Sequence, residues 1–169
     1  MQKPLIETQR TYFSLWNEDS LSDANLLWGD PAVSKYISIS GIFSEKEILT
    51  RLNKEISNQQ LYGIQYWPFY EKDSNTIIGC CGFRPYSHNT LEFGIHIRSS
   101  FWRQGLAFES ATAAIRYCNN NLKPEKIVAG HNLNNIASAN LLKKLGFIFT
   151  HTEYYEPTGL MHPTYMLNI

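Results

Sequence analysis

Apolar and polar residues follow two different periods along this chain, and each period predicts a different element. In residues 89–99, apolar side chains alternate with polar or small ones, which is typical of a strand with one buried face. This alternation places Glu92 and His96 on the polar face of the strand. In residues 43–56, apolar side chains recur at helical spacing. Ser44, with Glu47 three residues later, marks the start of that helix with the signature of a capping box.

Over the whole chain, the two periods predict the element order β-α-α-β-β-β-α-β-α-β-β. Strands are predicted at residues 7–16, 61–71, 75–86, 89–99, 125–131, 147–156 and 164–169, and helices at residues 20–33, 43–56, 105–121 and 134–147. Short turn sequences between the second, third and fourth strands favour hairpins, and therefore antiparallel pairing. The pattern predicts a mixed α/β fold of the α+β type, with a mostly antiparallel sheet of about seven strands and four helices.

The composition predicts a single domain over residues 1–169 and argues against several kinds of partner. A chain of 169 residues with 43% hydrophobic residues can bury one sizeable core. Fifteen basic residues balance fifteen acidic ones, so we expect no nucleic-acid partner. No apolar stretch reaches the length of a membrane span, and we expect a cytoplasmic protein without a membrane partner. Cys80, Cys81 and Cys118 lack the spacing of a metal site and are expected to be buried thiols.

The first chemical signal lies in residues 99–110, where Gly105 stands between a predicted strand and a predicted helix. The first N–H groups of a helix lack intrahelical partners and lie at the positive end of the helix dipole, so they readily bind phosphate groups. Glycine at this point lets a ligand approach the backbone closely. Taken alone, the segment is equally compatible with a tight turn that serves geometry only.

A second motif follows one short strand later. The residues of the first motif are Trp102, Gly105, Ala107, Glu109 and Ala111, and those of the second are Asn135, Ala137, Ser138, Lys144, Leu145, Gly146 and Phe147. Together they resemble the GNAT superfamily of acetyl-CoA-dependent N-acetyltransferases, and within it the Rim-type branch of ribosomal-protein N-terminal acetyltransferases. Residues 7–10 and 26–37 also resemble the opening segments of that branch, so the resemblance spans nearly the whole chain.

Two positions depart from the family pattern. Arg103 occupies the place of the first glycine of the phosphate loop, and we expect it to need only an ordinary backbone conformation while its cation helps to neutralise phosphate. Leu142 occupies the place of the tyrosine with which many GNAT enzymes protonate the leaving thiolate. The Rim-type branch commonly lacks that tyrosine as well.

The resemblance implies how acetyl-CoA would bind. The fourth and fifth predicted strands would splay apart, and free backbone groups near Ile95 and Ile97 would pair with the pantetheine arm. The backbone of the phosphate loop would hold the pyrophosphate, and this loop consists of Arg103, Gln104, Gly105, Leu106, Ala107 and Phe108. Asn135 would contact the pantetheine or brace the splayed strand. Lys144 could reach the ribose phosphate, although a solvated lysine is an equal alternative.

The resemblance also implies direct attack of an amine on the thioester, without a metal. With an amine pKa of about 10, only about one molecule in a thousand is neutral at pH 7, so a base that removes its proton would matter. Glu92 is the first candidate base, through a water molecule, and Glu156 is the second. Either glutamate could equally be a solvated charge. Ser138 is the candidate donor to the departing thiolate, or a residue that only caps or packs its helix.

The acceptor would be a primary amine, either a protein N-terminus or a small molecule. Five aromatic residues are candidates for its site or for the core: Trp28, Tyr36, Tyr66, Phe83 and Tyr86. The alternative function is a non-catalytic module of the same fold that binds acyl-CoA without turnover. The sequence leaves the oligomeric state open and is compatible with a homodimer.

Overall fold

The computed structural model describes residues 4–169 and contains one eight-stranded sheet and five helices. The strands are β1 (Ile6–Glu7), β2 (Thr11–Phe13), β3 (Tyr66–Glu71), β4 (Ile77–Ser87), β5 (Thr90–Ile97), β6 (Lys126–Gly130), β7 (Ile148–Tyr155) and β8 (Leu160–Asn168). The helices are α1 (Leu21–Trp28), α2 (Pro31–Ser34), α3 (Glu45–Tyr62), α4 (Leu106–Tyr117) and α5 (Ile136–Lys144). The strand order is β1-β2-β3-β4-β5-β6-β8-β7.

The sheet is antiparallel except where β5 pairs with β6, which confirms the predicted mixed fold. One strand and one helix more than predicted are present. The predicted first strand folds back on itself as β1 and β2, because Thr8 and Thr11 close a tight turn through hydrogen bonds in both directions. The predicted first helix is divided after Gly29, where Asp30 caps a new helix that begins with Pro31.

Local signals that the sequence carries set the ends of two helices. Ser44 and Glu47 form the predicted capping box at the start of α3. Gly146 adopts the predicted left-handed conformation after α5, with φ of 90°. These two features define the start of α3 and the end of α5.

The core has two parts, one on each face of the sheet. One part lies under α4 and contains Cys81, and the other lies under α1 and α3 and contains Cys80. The adjacent cysteines thus point to opposite faces. All three cysteines are free and buried, as expected, and burial raises the pKa of each thiol. Within residues 4–169, no helix is long and apolar enough to cross a membrane.

Candidate active site

The main cavity opens where β5 and β6 separate. The two strands pair only at residues 90–92 with residues 126–128, and beyond Glu92 the edge of β5 that faces β6 has no strand partner. On its other edge β5 remains paired with β4 as far as Ile97. The gap opens into a cavity of about 570 Å³, and both Ile95 and Ile97 line it. The predicted splay is therefore present, and it leaves backbone groups of β5 available to an extended ligand.

The predicted phosphate loop closes one end of this cavity. Gly105 is the N-cap of α4 with φ of 77°, and no side chain caps the helix. The first N–H groups of α4 are therefore left to a ligand or to water. Residues 103–107 line the cavity, whereas Phe108 does not. Lys144 also lies outside the cavity wall, where its Nζ sits 4.2 Å from the centre of the Phe108 ring.

The conformation expected for Arg103 is wrong. Its φ is 60°, in the left-handed region that glycine adopts without steric cost. The loop therefore retains the backbone shape of a glycine at this position, although the residue is arginine. The exposed side chain of Arg103 adds a cation to the rim of the cavity.

Hydrogen bonds from the β1–β2 turn brace the predicted phosphate loop on the side away from the cavity. Glu109 accepts hydrogen bonds from the Thr8 hydroxyl at 2.6 Å, from the Arg10 backbone N–H at 3.0 Å and from Arg10 Nε at 2.7 Å. Arg10 Nη1 also donates to the carbonyl oxygen of Gln104 at 2.9 Å. Burial alone would raise the pKa of Glu109, but the hydrogen bonds from Thr8 and Arg10 outweigh it and lower the pKa. The motif residue Glu109 thus positions the loop and does not enter the cavity.

The start of α5 forms another part of the wall. Asn135 is the N-cap of this helix, and its Oδ1 accepts a hydrogen bond from the Ser138 backbone N–H at 3.2 Å. Asn135 and Ser138 both line the cavity. Leu142, at the position of the family tyrosine, is buried in the core and also reaches the cavity wall.

Two carboxylates face the cavity from opposite sides of the gap. Glu92 stands on β5, where burial raises its pKa most, the charge of Glu153 raises it further and Arg84 opposes the change. Glu153 stands on β7 and accepts a hydrogen bond from the Tyr86 hydroxyl at 3.0 Å. The sequence predicted Glu92 but gave no sign of Glu153, since β7 reaches the site only through its pairing with β8.

Glu156, the second candidate base, does not reach this cavity. It is exposed and lines a separate, smaller cavity together with Arg51 and Pro157. The structure brings Glu92 and Ser138 into one cavity and leaves Glu156 outside it.

The predicted aromatic residues divide between the cavity and the core. Tyr36, Tyr66 and Tyr86 line the cavity. Trp28 and Phe83 are fully buried and belong to the two parts of the core. Tyr155, at the end of β7, also lines the cavity, and it belongs to the segment 154–163 that the sequence placed at the edge of the acceptor site.

His96 is a neutral structural residue beside the cavity. Its Nδ1 accepts a hydrogen bond from the Trp28 indole N–H at 3.1 Å. Burial, together with the positive charges of Arg51 and Arg84, holds the pKa of His96 well below its usual value. The imidazole therefore carries no charge at neutral pH.

Two arginines belong to the same region. Arg84 forms a buried ion pair with Glu55, and its guanidinium lies 4.0 Å from the centre of the Tyr66 ring. Arg51 packs its guanidinium against two aromatic rings, 4.9 Å from the centre of Phe43 and 5.5 Å from that of Trp28. No cluster of three or more His, Cys, Asp or Glu residues within residues 4–169 could hold a metal ion.

Comparison with known proteins identifies the family. The model of the acetyltransferase (GNAT) domain matches residues 10–148. An uncharacterized N-acetyltransferase, p20 of Bacillus licheniformis, is 29% identical over 157 residues, which cover 88% of each protein. The [ribosomal protein uS5]-alanine N-acetyltransferase of Escherichia coli (strain K12) is 33% identical over 85 residues, covering 48% of this chain and 44% of that enzyme.

Solved structures share the fold. The structure of RimL, a ribosomal L7/L12 alpha-N-protein acetyltransferase in complex with coenzyme A, superposes with a TM-score of 0.82 at 15% identity, covering 99% of this chain and 98% of that one. The family match covers most of the chain, and the relatives include Rim-type enzymes, as the two sequence motifs had indicated. This chain belongs to the GNAT family of acetyltransferases, and it is an N-acetyltransferase.

Proposed function

We propose that this enzyme transfers the acetyl group of acetyl-CoA to a primary amine by direct attack, with Glu92 as the general base. The observation that carries the proposal is that Glu92, the free edge of β5 and the uncapped start of α4 all face one cavity. A donor bound along β5 with its pyrophosphate at α4 would bring its thioester to the same cavity as Glu92.

The chain offers suitable groups to each part of the donor. The backbone near Ile95 and Ile97 would pair with the pantetheine arm, and residues 103–107 would bind the pyrophosphate through their N–H groups. Arg103 and Lys144 would add positive charge near the phosphates. Phe108 would support Lys144 from outside the cavity, and Asn135 would contact the pantetheine from the start of α5.

The amine must lose a proton before or during the attack. An alkylammonium has a pKa near that of lysine, about 10, so only about one molecule in a thousand is neutral at pH 7. The raised pKa of Glu92 makes this carboxylate a stronger base than an exposed glutamate. The amine nitrogen forms a bond to the carbonyl carbon, the carbon–sulfur bond breaks, and the proton passes to Glu92 through a water molecule.

The departing sulfur needs little help. A thiol of coenzyme A has a pKa of about 8.5, so its thiolate is a stable leaving group near neutral pH. Ser138 lines the cavity and is the proposed proton donor to that sulfur. Because the demand for acid catalysis is small, Ser138 contributes less than Glu92.

A thiol-release assay with acetyl-CoA and a panel of primary amines tests this function. We expect Glu92→Gln to lower kcat/KM by about 100-fold, because the general base is lost. If coenzyme A raises the melting temperature of this variant as much as that of the wild type, the donor site of the variant is intact. Glu45→Gln, on the exposed first turn of α3, is the matched control and should leave the rate unchanged.

The pH dependence follows from the sign of the Glu92 shift. Its raised pKa means that kcat/KM should fall as the pH drops through that pKa, because the base becomes protonated. The buried ionised carboxylate also destabilises the fold above the unfolded-state pKa, so Glu92→Gln should melt at or above the wild-type temperature at pH 8. If the variant keeps full activity as the pH is lowered through this pKa, Glu92 is not the base.

We also propose a cytoplasmic location and a homodimer. The requirement for acetyl-CoA and the three free, buried cysteines support the first. The edge strand β7 exposes Ile148, Phe149 and Tyr154, and this supports pairing of two chains along that edge. Light scattering on the purified protein would distinguish a dimer from a monomer.

A further inference from the structure

We infer that the acceptor amine also carries an anionic oxygen group, a carboxylate or a phosphate, and that Arg51 binds this group. The inference rests on the proposed function and specifies which amines the enzyme accepts. Arg51 is a part-buried residue of α3 that lines both the main cavity and the smaller one.

Two aromatic rings hold the guanidinium of Arg51 in place. The guanidinium packs against Phe43 and Trp28, and Trp28 is in turn fixed by its hydrogen bond to His96. A planar cation stacked in this way keeps its N–H donors along the edge of the guanidinium, where they can bind two oxygens of one anionic group. Arg51 is thus oriented before any ligand arrives.

Within residues 4–169, Arg51 forms no ion pair with a carboxylate. The two nearest carboxylates on α3 are already engaged, since Glu55 pairs with Arg84 and Glu47 belongs to the capping box with Ser44. Burial, and then the positive charge of Arg84, lower the pKa of Arg51. An unpaired cation in a part-buried wall is costly, and an anionic ligand would offset that cost.

Negatively charged side chains line the same cavity as Arg51. Glu92 and Glu153 attract a protonated amine, whereas Arg51 attracts an anion. Tyr155 lines the same cavity and lies within electrostatic range of both Glu92 and Arg51. An acceptor with an amine at one end and an anionic group at the other would complement both charges at once, which a simple alkylamine cannot do.

The competing explanation is an internal partner for Arg51. Glu156 lines the smaller cavity together with Arg51, but the two side chains form no ion pair in the structure. If Glu156 neutralises Arg51 in solution, Arg51 will not distinguish acceptors. Thiol-release rates with charged and neutral acceptors distinguish the two explanations, because only binding of the acceptor by Arg51 makes the rate depend on the charge of the acceptor.

The test measures thiol release from acetyl-CoA with matched pairs of acceptors. The carboxylate arm uses ω-amino acids of increasing chain length against their amides, and the phosphate arm uses phosphoethanolamine against ethanolamine. We expect kcat/KM to be about 30-fold higher, or more, for at least one anionic acceptor than for its neutral match, as for a desolvated charge pair. The two arms tell a carboxylate from a phosphate.

Variants assign that preference to Arg51. Arg51→Gln should bring the ratio of kcat/KM for the anionic acceptor to that for its neutral match down to about one. Arg51→Lys keeps the charge but loses the planar fork, and should retain only part of the preference. Lys46→Gln, which removes an exposed cation from the same helix, is the matched control and should retain all of it.

Three outcomes would overturn the inference while the proposed function stands. The anionic and neutral acceptors could react equally well, Arg51→Gln could lower both rates equally, or Lys46→Gln could abolish the preference as Arg51→Gln does. A rise in melting temperature with coenzyme A confirms that each variant is folded and binds the donor. If no amine of the panel releases thiol, the proposed function fails, and the inference about the acceptor fails with it.

Discussion

The hydrogen bonds that brace the predicted phosphate loop allow a quantitative prediction. In Glu109→Gln the amide keeps one oxygen for Thr8 and the Arg10 backbone, but its NH2 group faces the Arg10 guanidinium. The contacts from Arg10 Nε at 2.7 Å and from Nη2 at 2.6 Å are lost. Each such charge-assisted bond is worth about 1.5–3 kcal/mol when buried. Because the Arg10 side chain is 46% exposed, we expect a total loss of about 2 kcal/mol in the free energy of unfolding.

Thermal melting followed by circular dichroism measures this loss. For a domain of this size, about 2 kcal/mol corresponds to a fall in Tm of about 6 °C. Because the pKa of Glu109 is lowered in the folded state, its contribution is present above the unfolded-state pKa and disappears as the pH falls through the folded pKa. The two proteins should therefore differ at pH 7 and converge in acid. Because Arg10 also holds the Gln104 carbonyl, the KM for acetyl-CoA should rise severalfold while kcat changes little.

The control for this prediction is a carboxylate of the same hairpin. Glu7 forms an exposed ion pair with Lys72 at 3.2 Å, and its loss in Glu7→Gln should cost less than about 0.5 kcal/mol. If Glu109→Gln melts at the temperature of Glu7→Gln, the brace contributes nothing and the reasoning is refuted. A Tm difference that persists in strong acid would also contradict it, because the carboxylate charge would not be its source.

Two further substitutions test the walls of the cavity. In Arg103→Gly, relief of about 1 kcal/mol of left-handed strain is offset by a similar entropic cost of glycine, so Tm should change little. The KM for acetyl-CoA should nevertheless rise severalfold at low salt, and an unchanged KM would mean that the backbone alone binds the phosphates. In Gly94→Ala, the added methyl group would meet the ring of the buried Tyr66, so the free energy of unfolding should fall by about 1–3 kcal/mol. Denaturant unfolding would measure this, with Gly130→Ala as the control because its added carbon meets only an ordinary contact at 3.6 Å.

The features that the sequence predicted correctly depend on neighbouring residues. The alternation in β5, the capping box of Ser44 and Glu47, and the glycine after α5 all act within a few residues, so one local pattern reports each of them. The two motifs also located the loop and the start of α5. The alternation in β5 also put Glu92 on the polar face of its strand, and this made it a candidate for the site.

The features that the sequence missed depend on contacts between distant segments. Arg10 and Glu109 are 99 positions apart, and neither residue type reveals the other. Arg51 occupies an ordinary polar position of a helix, and only the packed structure reveals that it forms no ion pair within residues 4–169. The conformation of Arg103 was mispredicted because the loop shape is imposed by its surroundings, so the residue type did not decide it.

The short parallel pairing of β5 with β6 has a consequence for the whole enzyme. Within residues 4–169, three residue pairs are the sole ladder that joins strands β1–β5 to strands β6–β8. A donor bound along the free edge of β5 would act as an inserted ninth strand and connect the two halves of the sheet. The cellular concentration of acetyl-CoA would then set the stability of the folded protein, and through it the lifetime of the protein, as well as the rate of catalysis.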